Sequence, residues 1–141
     1  MQSVTVKSVC VFSGDTSGVV HLSQGMSDNY TRITGTITGL APDALIELRA
    51  TLFGDLSDKN FKTIGGSFSS ATIEPLMISS DSSGTSKFDI NSSIKLIGPL
   101  SIIGRCLAII SNPGRETDEK IITAAIVGIA AIPRDGQLAL N

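Results

Sequence analysis

The sequence has few of the residues from which catalytic and metal sites are usually built. Its 141 residues include one histidine, two cysteines and no tryptophan. A single histidine, His21, cannot supply the several imidazole ligands of a typical zinc or copper site. No G-x-S-x-G nucleophile elbow and no G-x-x-x-x-G-K-[ST] phosphate loop occurs. We therefore expect no cofactor and no small-molecule substrate, with His21 as a surface residue of a strand.

Long apolar runs and an excess of positive charge are also missing. The formal net charge is −2, whereas nucleic-acid binding usually requires a basic face. The longest apolar stretch, residues 124–132, is too short to span a bilayer. The first ten residues contain no apolar run of the kind found in secretory signals. We expect a cytoplasmic protein whose partners are proteins rather than nucleic acids or membranes.

The sequence is rich in residues that favour short strands and turns. Hydrophobic residues make up 41%, and there are 14 glycines. Valine- and isoleucine-rich segments alternate with turn signals such as Asp81-Ser82-Ser83-Gly84, a pattern typical of an all-β sandwich or Greek-key barrel. We assign a barrel domain to residues 1–132 and a tail to 133–141. The predicted strands are residues 3–12, 18–24, 31–40, 45–53, 72–79, 86–90, 106–111 and 121–131.

Alternation within the segment IELRATLFGD assigns its two faces, because successive side chains of a strand point to opposite sides. The core face of this segment is predicted to carry Ile46, Leu48, Ala50 and Leu52, and the other face Leu45, Glu47, Arg49, Thr51 and Phe53.

Cys10 and Cys106 lie in apolar strand-like runs, so we expect two small buried or half-buried thiols.

Seven segments, in order, resemble the copper/zinc superoxide dismutase family. They are KSVCVFSGD (7–15), SGVVHLSQ (17–24), TGTITGL (34–40), FGD (53–55), DSSGTSKFDI (81–90), IIGRCLAI (102–109) and IVGIA (126–130). The resemblance implies an eight-stranded Greek-key β-barrel or sandwich, here with shortened zinc and electrostatic loops. Family members cycle a copper ion held by four histidines, one of which bridges to a zinc.

The same alignment places non-ligands at the metal positions. The family's His-x-His copper pair aligns with Arg49 and Thr51, and a further copper histidine aligns with Ile110. Arginine stays protonated and cannot ligate a metal. Two interpretations of Arg49 stay open: a surface ion pair with Glu47, or a guanidinium that fills the copper position and bonds to local carboxylates. The vacated positions lead us to expect a pseudoenzyme without catalytic residues or metal ligands.

Family dimers use the first strand, the I-I-G-R turn and the last strand. The matching residues here are apolar or small and form the predicted dimer interface: Val9, Val11, Ile103, Gly104 and Ile129. The alternative is that they belong to the core. A structural or protein-interaction role, through a homodimer or another protein, is the leading prediction.

Two other functions are alternatives to this one. The first is a copper-chaperone-like docking domain that binds a true dismutase, and the second is an enzyme with unrelated chemistry that uses Cys10, Cys106 or a noncanonical metal. The short loop FGDLSDKNFKTIGG is similar to that of the ligand-poor dismutase-like proteins of poxviruses, which implies a viral and virion-associated protein.

Overall fold

The computed structural model describes residues 5–68, 74–115 and 117–130. Over these ranges the only helical segment is one 3₁₀ turn, Lys62–Ile64, and no helix is long and apolar enough to cross a membrane. The strands are β1 (Thr5–Phe12), β2 (Ser17–Gly25), β3 (Thr31–Thr38), β4 (Leu45–Ala50), β5 (Leu76–Ser79), β6 (Ser86–Ser92), β7 (Cys106–Ser111), β8 (Lys120–Ile126) and β9 (Gly128–Ile129).

The strands form two antiparallel sheets that face one another. One has the order β6-β3-β2-β1-β9 and the other β5-β4-β7-β8. Hairpins join β1 to β2 and β2 to β3, whereas β6 returns to pair with β3 and β7 pairs with β4. These long connections are typical of Greek-key topology. The predicted all-β fold is confirmed.

The last predicted strand, residues 121–131, is interrupted at Val127, which gives nine strands in the described residues instead of eight. The amide of Val127 donates to the carbonyl of Arg105, and the amide of Gly104 donates to the carbonyl of Val127. These two bonds lie between β8, which belongs to one sheet, and β9, which belongs to the other. The interruption is therefore the point where the chain passes between sheets.

Alternating apolar side chains from both sheets fill the space between them. On β4, Ile46, Leu48 and Ala50 are buried as predicted. Leu52 is 39% exposed, so its assignment to the core is wrong. The strand ends at Ala50 rather than residue 53, because the amides of Leu52 and Phe53 donate to the carbonyls of Gly66 and Ile64 in the following loop.

Other predicted boundaries differ by a few residues. The strand predicted at 72–79 begins at Leu76 among the described residues, and β6 extends two residues beyond the predicted Ile90. Residues 3–4, 72–73 and the predicted tail at 133–141 lie outside the described residues.

Candidate functional site

Arg49 lies on β4 and bonds to two carboxylates. Its Nε and Nη2 donate to Glu47 at 3.1 and 2.8 Å. Its Nη1 and Nη2 donate to Glu119, which lies just before β8, at 2.8 and 3.0 Å. Both pairs therefore have the paired donor geometry that makes arginine–carboxylate contacts strong. We call this arrangement of Arg49, Glu47 and Glu119 the arginine clip.

The arginine clip also orders the loop between β7 and β8. A Glu119 carboxylate oxygen accepts a hydrogen bond from the amide of Gly114 at 3.0 Å. The Arg49 guanidinium, helped by the Gly114 amide, lowers the pKa of Glu119 from 4.5 to about 2. The carboxylates of Glu119 and Glu47 in turn raise the pKa of Arg49. All three groups are bound by their partners, and the guanidinium has no lone pair to offer a metal.

Thr51 and Ile110, the other two positions predicted to be vacated, are buried. The Thr51 hydroxyl donates to the carbonyl of Phe53 at 3.1 Å, and the side chain is 2% exposed. Ile110 is 1% exposed and belongs to an apolar cluster separate from the main core. We call this apolar cluster the second cluster. Its buried members are Ile64, Cys106, Ala108, Ile110 and Ala124.

The loop after β4 covers the second cluster. Ile64 belongs to it and the half-buried Phe61 packs against it. Phe61 has a φ of 63°, a left-handed conformation that costs a bulky L-residue about 1–2 kcal/mol. Burial of the Phe61 ring against Ile110 and its neighbours offsets that strain. The shortened loop thus packs apolar side chains beside the positions where the family has imidazole ligands.

A pocket of about 250 Å³ remains beside the arginine clip. Arg49 and Lys120 contribute its positive charges and Glu119 a negative one, and Glu47 bonds to Arg49 from outside the pocket lining. The lining contains neither histidine nor cysteine. In the described part of the chain, no three His, Cys, Asp or Glu side chains come together as metal donors. These residues do not fit a copper or zinc ion.

The remaining candidate residues are His21, Cys10 and Cys106. His21 is exposed on β2, where it lies opposite Val9 of β1 and Thr34 of β3 in the five-stranded sheet. Cys10 and Cys106 are both buried and free, in agreement with the prediction. Burial, with a contribution from Cys106, raises the pKa of the Cys10 thiol to about 12, and burial also raises the pKa of Cys106. Neither thiol is poised as a nucleophile, because the thiolate is the reactive form.

The predicted interface residues are the other candidate functional site. Val11 and Ile129 are 61% and 80% exposed, so the alternative that they belong to the core is wrong. Gly104 is exposed, while Val9 and Ile103 are half-buried, and Ile103 packs against the main core. Val9 lies opposite Gly128, next to Ile129, in the β1–β9 pair.

Two exposed residues of this region were missed by the sequence reasoning. Phe53 is 58% exposed and Ile126 is 44% exposed. Phe53 precedes Gly54, whose backbone touches that of Gly104: a Cβ added to Gly54 would lie 1.9 Å from the Gly104 carbonyl oxygen. Phe53 could have been identified from the sequence, because it is an apolar side chain on the polar face of the predicted strand. We call the whole set the apolar surface: Val9, Val11, Phe53, Ile103, Gly104, Ile126 and Ile129.

Comparisons with known proteins agree with the resemblance to the family. No family model matches the sequence. A copper-zinc superoxide dismutase of Pleurocordyceps sinensis is 34% identical over 119 residues, covering 74% of this chain and 77% of that protein. A copper-zinc superoxide dismutase of Kluyveromyces lactis is 30% identical over 119 residues, with the same coverage. Together with the two-sheet Greek-key structure, these similarities show that the chain belongs to the copper/zinc superoxide dismutase family.

Proposed function

We propose that this chain is a catalytically inactive member of its family that acts as a protein-interaction module. The observation that carries the proposal is the arginine clip, which places a bound guanidinium at a position that aligns with a copper ligand. Ile110, at another such position, is buried among apolar side chains. A strand face that keeps the family's backbone but offers no imidazole cannot hold a redox metal in the family's way.

Electrostatics around the pocket support the same proposal. Attraction of an anion such as superoxide requires a locally positive potential. Arg49 and Lys120 are the cations of the pocket, but Arg49 is bonded to both Glu47 and Glu119. The two negative charges balance the two positive ones. The resemblance to the family implies an active-site arginine close to Ile121, and Ile121 itself is apolar.

Metal content and activity test the proposal directly. We expect the protein, purified without chelators and then exposed to copper and zinc, to contain well under one equivalent of either by elemental analysis. We also expect no superoxide dismutation above that of free copper. The Kluyveromyces lactis dismutase, loaded and assayed in parallel, is the positive control. A stoichiometric copper ion with dismutation would overturn the proposal.

The apolar surface supports the interaction role. Val11, Ile126 and Ile129 are each more than 40% exposed, and clusters of exposed apolar residues on a soluble fold commonly mark association sites. The surface includes residues of β1, β9 and the turn before β7, which the Val9–Gly128 pairing and the Gly104–Val127 hydrogen bond bring together. In a twofold dimer such an apolar patch would pack against the same patch of the second copy.

Substitution of Ile129 tests this surface without disturbing the core. At 80% exposure, Ile129→Glu leaves the folded monomer intact but buries a charge in a dimer, which costs several kcal/mol. We expect the wild type to behave as a dimer and Ile129→Glu as a monomer in light scattering coupled to size exclusion. Met26→Glu, at a 59% exposed position outside the apolar surface, is the matched control. Ile103→Glu is a poorer choice because Ile103 packs against the core.

A wild-type protein that is monomeric at micromolar concentrations would contradict the proposed homodimer. The alternative, a docking domain that binds a true dismutase through the same surface, is then tested by mixing with the Kluyveromyces lactis protein. Complex formation that Ile129→Glu abolishes would favour the docking domain, and no complex would count against both modes.

A further inference from the structure

In one row of side chains across the five-stranded sheet, a serine lies between a lysine and an arginine. Ser23 of β2 lies opposite Lys7 of β1 and also opposite Arg32 of β3. Directly opposed residues share one face of the sheet. Because neighbouring strands are about 4.8 Å apart, the Cα atoms of Lys7 and Arg32 are about 10 Å apart. The small serine between them leaves space for a ligand that both cations can reach.

The next row closes one end of this space. His21 lies opposite Val9 and Thr34, two positions along from the first row. Together the two rows border a groove of about 410 Å³, at one end of which is Ala130. No aspartate or glutamate lines the groove, although the whole chain carries a net charge of −2. The lining of the groove thus contains two cations, Lys7 and Arg32, and no carboxylate.

Arg32 is held in place by a carboxylate on the side away from Ser23. Its Nε and Nη2 donate to Asp89 at 2.8 and 2.5 Å. Asp89 lies on β6, the strand beyond β3, and is opposite Thr34. Within the described ranges, neither Nη1 of Arg32 nor Nζ of Lys7 has a hydrogen-bond partner. Asp89 offsets part of the arginine's charge, but it fixes the guanidinium and leaves these donors for a ligand.

We propose that this groove binds a small phosphate monoester. A doubly charged oxyanion seated over Ser23 accepts hydrogen bonds from Lys7 and Arg32, and the hydroxyls of Ser23 and Thr34 are additional donors. Charge-assisted bonds of this type are the usual basis of phosphate recognition. The side chain of Val9 and Ala130 provide an apolar surface for the organic part of the ester. The proposal does not depend on the arginine clip, and it shares only Val9 with the apolar surface.

Amide chemical shifts followed during titration test the proposal on the whole chain. The probes are inorganic phosphate, sulfate and phenyl phosphate, each at constant ionic strength. We expect saturable shifts at residues 7–9, 21–23 and 32–34, with phenyl phosphate binding more tightly than inorganic phosphate. Lys7→Gln is expected to weaken binding about tenfold, the effect of losing one charge-assisted bond. Lys87→Gln, an exposed lysine of the same sheet outside the groove lining, is the matched control.

Loss of binding in Lys7→Gln but not in Lys87→Gln would support the groove. Arg32→Lys gives a second, independent variant, because it keeps the charge but loses the fork-shaped donor set and is expected to bind several-fold more weakly. Shifts that do not saturate, that spread over all exposed lysines, or that are equal in the two glutamine variants would overturn the proposal. So would shifts confined to the arginine clip.

Discussion

At the scale of single residues, Arg49 lies at a position that the resemblance to the family aligns with a copper-binding histidine. Its guanidinium lies on β4 and joins this strand to the segment before β8 through Glu119. An imidazole at this position could share a metal with ligands on other strands, whereas the guanidinium binds two carboxylates directly. At this place in the fold, a direct ion pair therefore links β4 to the segment before β8.

Glu119→Gln is predicted to lower stability in a pH-dependent way. The folded-state pKa of Glu119, about 2, is below its ordinary value of 4.5, so its contribution is present above pH 4.5 and is lost as the pH falls towards 2. Because the pair is partly exposed, we expect a loss of about 1 kcal/mol at pH 7. Urea unfolding between pH 2 and pH 7 measures it, and the difference from wild type should disappear near pH 2.

The neighbouring carboxylate provides the control for this experiment. Asp118→Asn removes an exposed charge whose side chain makes no hydrogen bond in the described structure, and it should shift the unfolding midpoint little at any pH. Equal losses in the Glu119→Gln and Asp118→Asn proteins would show that general charge, rather than the arginine clip, sets the acid sensitivity.

At the scale of the elements, the loop after β4 is held against the turn before β7. Gly54 contacts the Gly104 backbone, and Nη1 of Arg105 donates to the carbonyl of Leu52. The guanidinium of Arg105 also lies 3.7 Å from the ring centroid of Phe68, a cation–π contact. These contacts position Phe53 and Gly104 together on the apolar surface.

Gly54→Ala is predicted to disrupt this contact. The new methyl group would lie 1.9 Å from a backbone oxygen, which no side-chain rotation can relieve. We expect a loss of about 3 kcal/mol in urea unfolding, at the upper end of overpacking effects. Gly66→Ala is the matched control, because an added Cβ there meets nothing within 4 Å. A Gly54→Ala protein as stable as the Gly66→Ala protein would contradict the close approach.

The sequence predicts the strands well because their signal is local. Alternation placed Ile46, Leu48 and Ala50 on the core face, and turn residues separated the strands. It failed at Leu52 and Val127, where hydrogen bonds to residues distant in sequence decide whether a strand continues. The pairing of Arg49 with Glu47 was one of the two predicted interpretations, because the two residues share a strand face. The second partner, Glu119, could not be predicted because it is 70 positions away and no local pattern links the two residues.

At the scale of the whole molecule, the described barrel is held by packing and hydrogen bonds. Both cysteines of the chain are free, and the second cluster contains Ile110, a position that the resemblance aligns with a copper histidine. Stability should therefore depend neither on a disulfide nor on a chelatable ion. We expect the thermal midpoint to be unchanged, within about 1 °C, by EDTA or by dithiothreitol.

The Kluyveromyces lactis dismutase, measured under the same conditions, shows whether the assay detects a metal contribution. A fall of several degrees with EDTA in this chain would reveal a stabilising ion that its described residues do not account for.

The pairing of β1 with β9 has a consequence for how the barrel is made. Ser8 lies opposite Ile129, so one edge of the five-stranded sheet joins almost the first described residues to almost the last. Such a contact closes a loop of more than a hundred residues, which is entropically costly and slow to form. During synthesis, β1 to β3 can assemble early, but the sheet is completed only after Ile129 has left the ribosome. Until then the β1 edge is an unpaired strand, and the nascent chain is most open to mispairing at this edge.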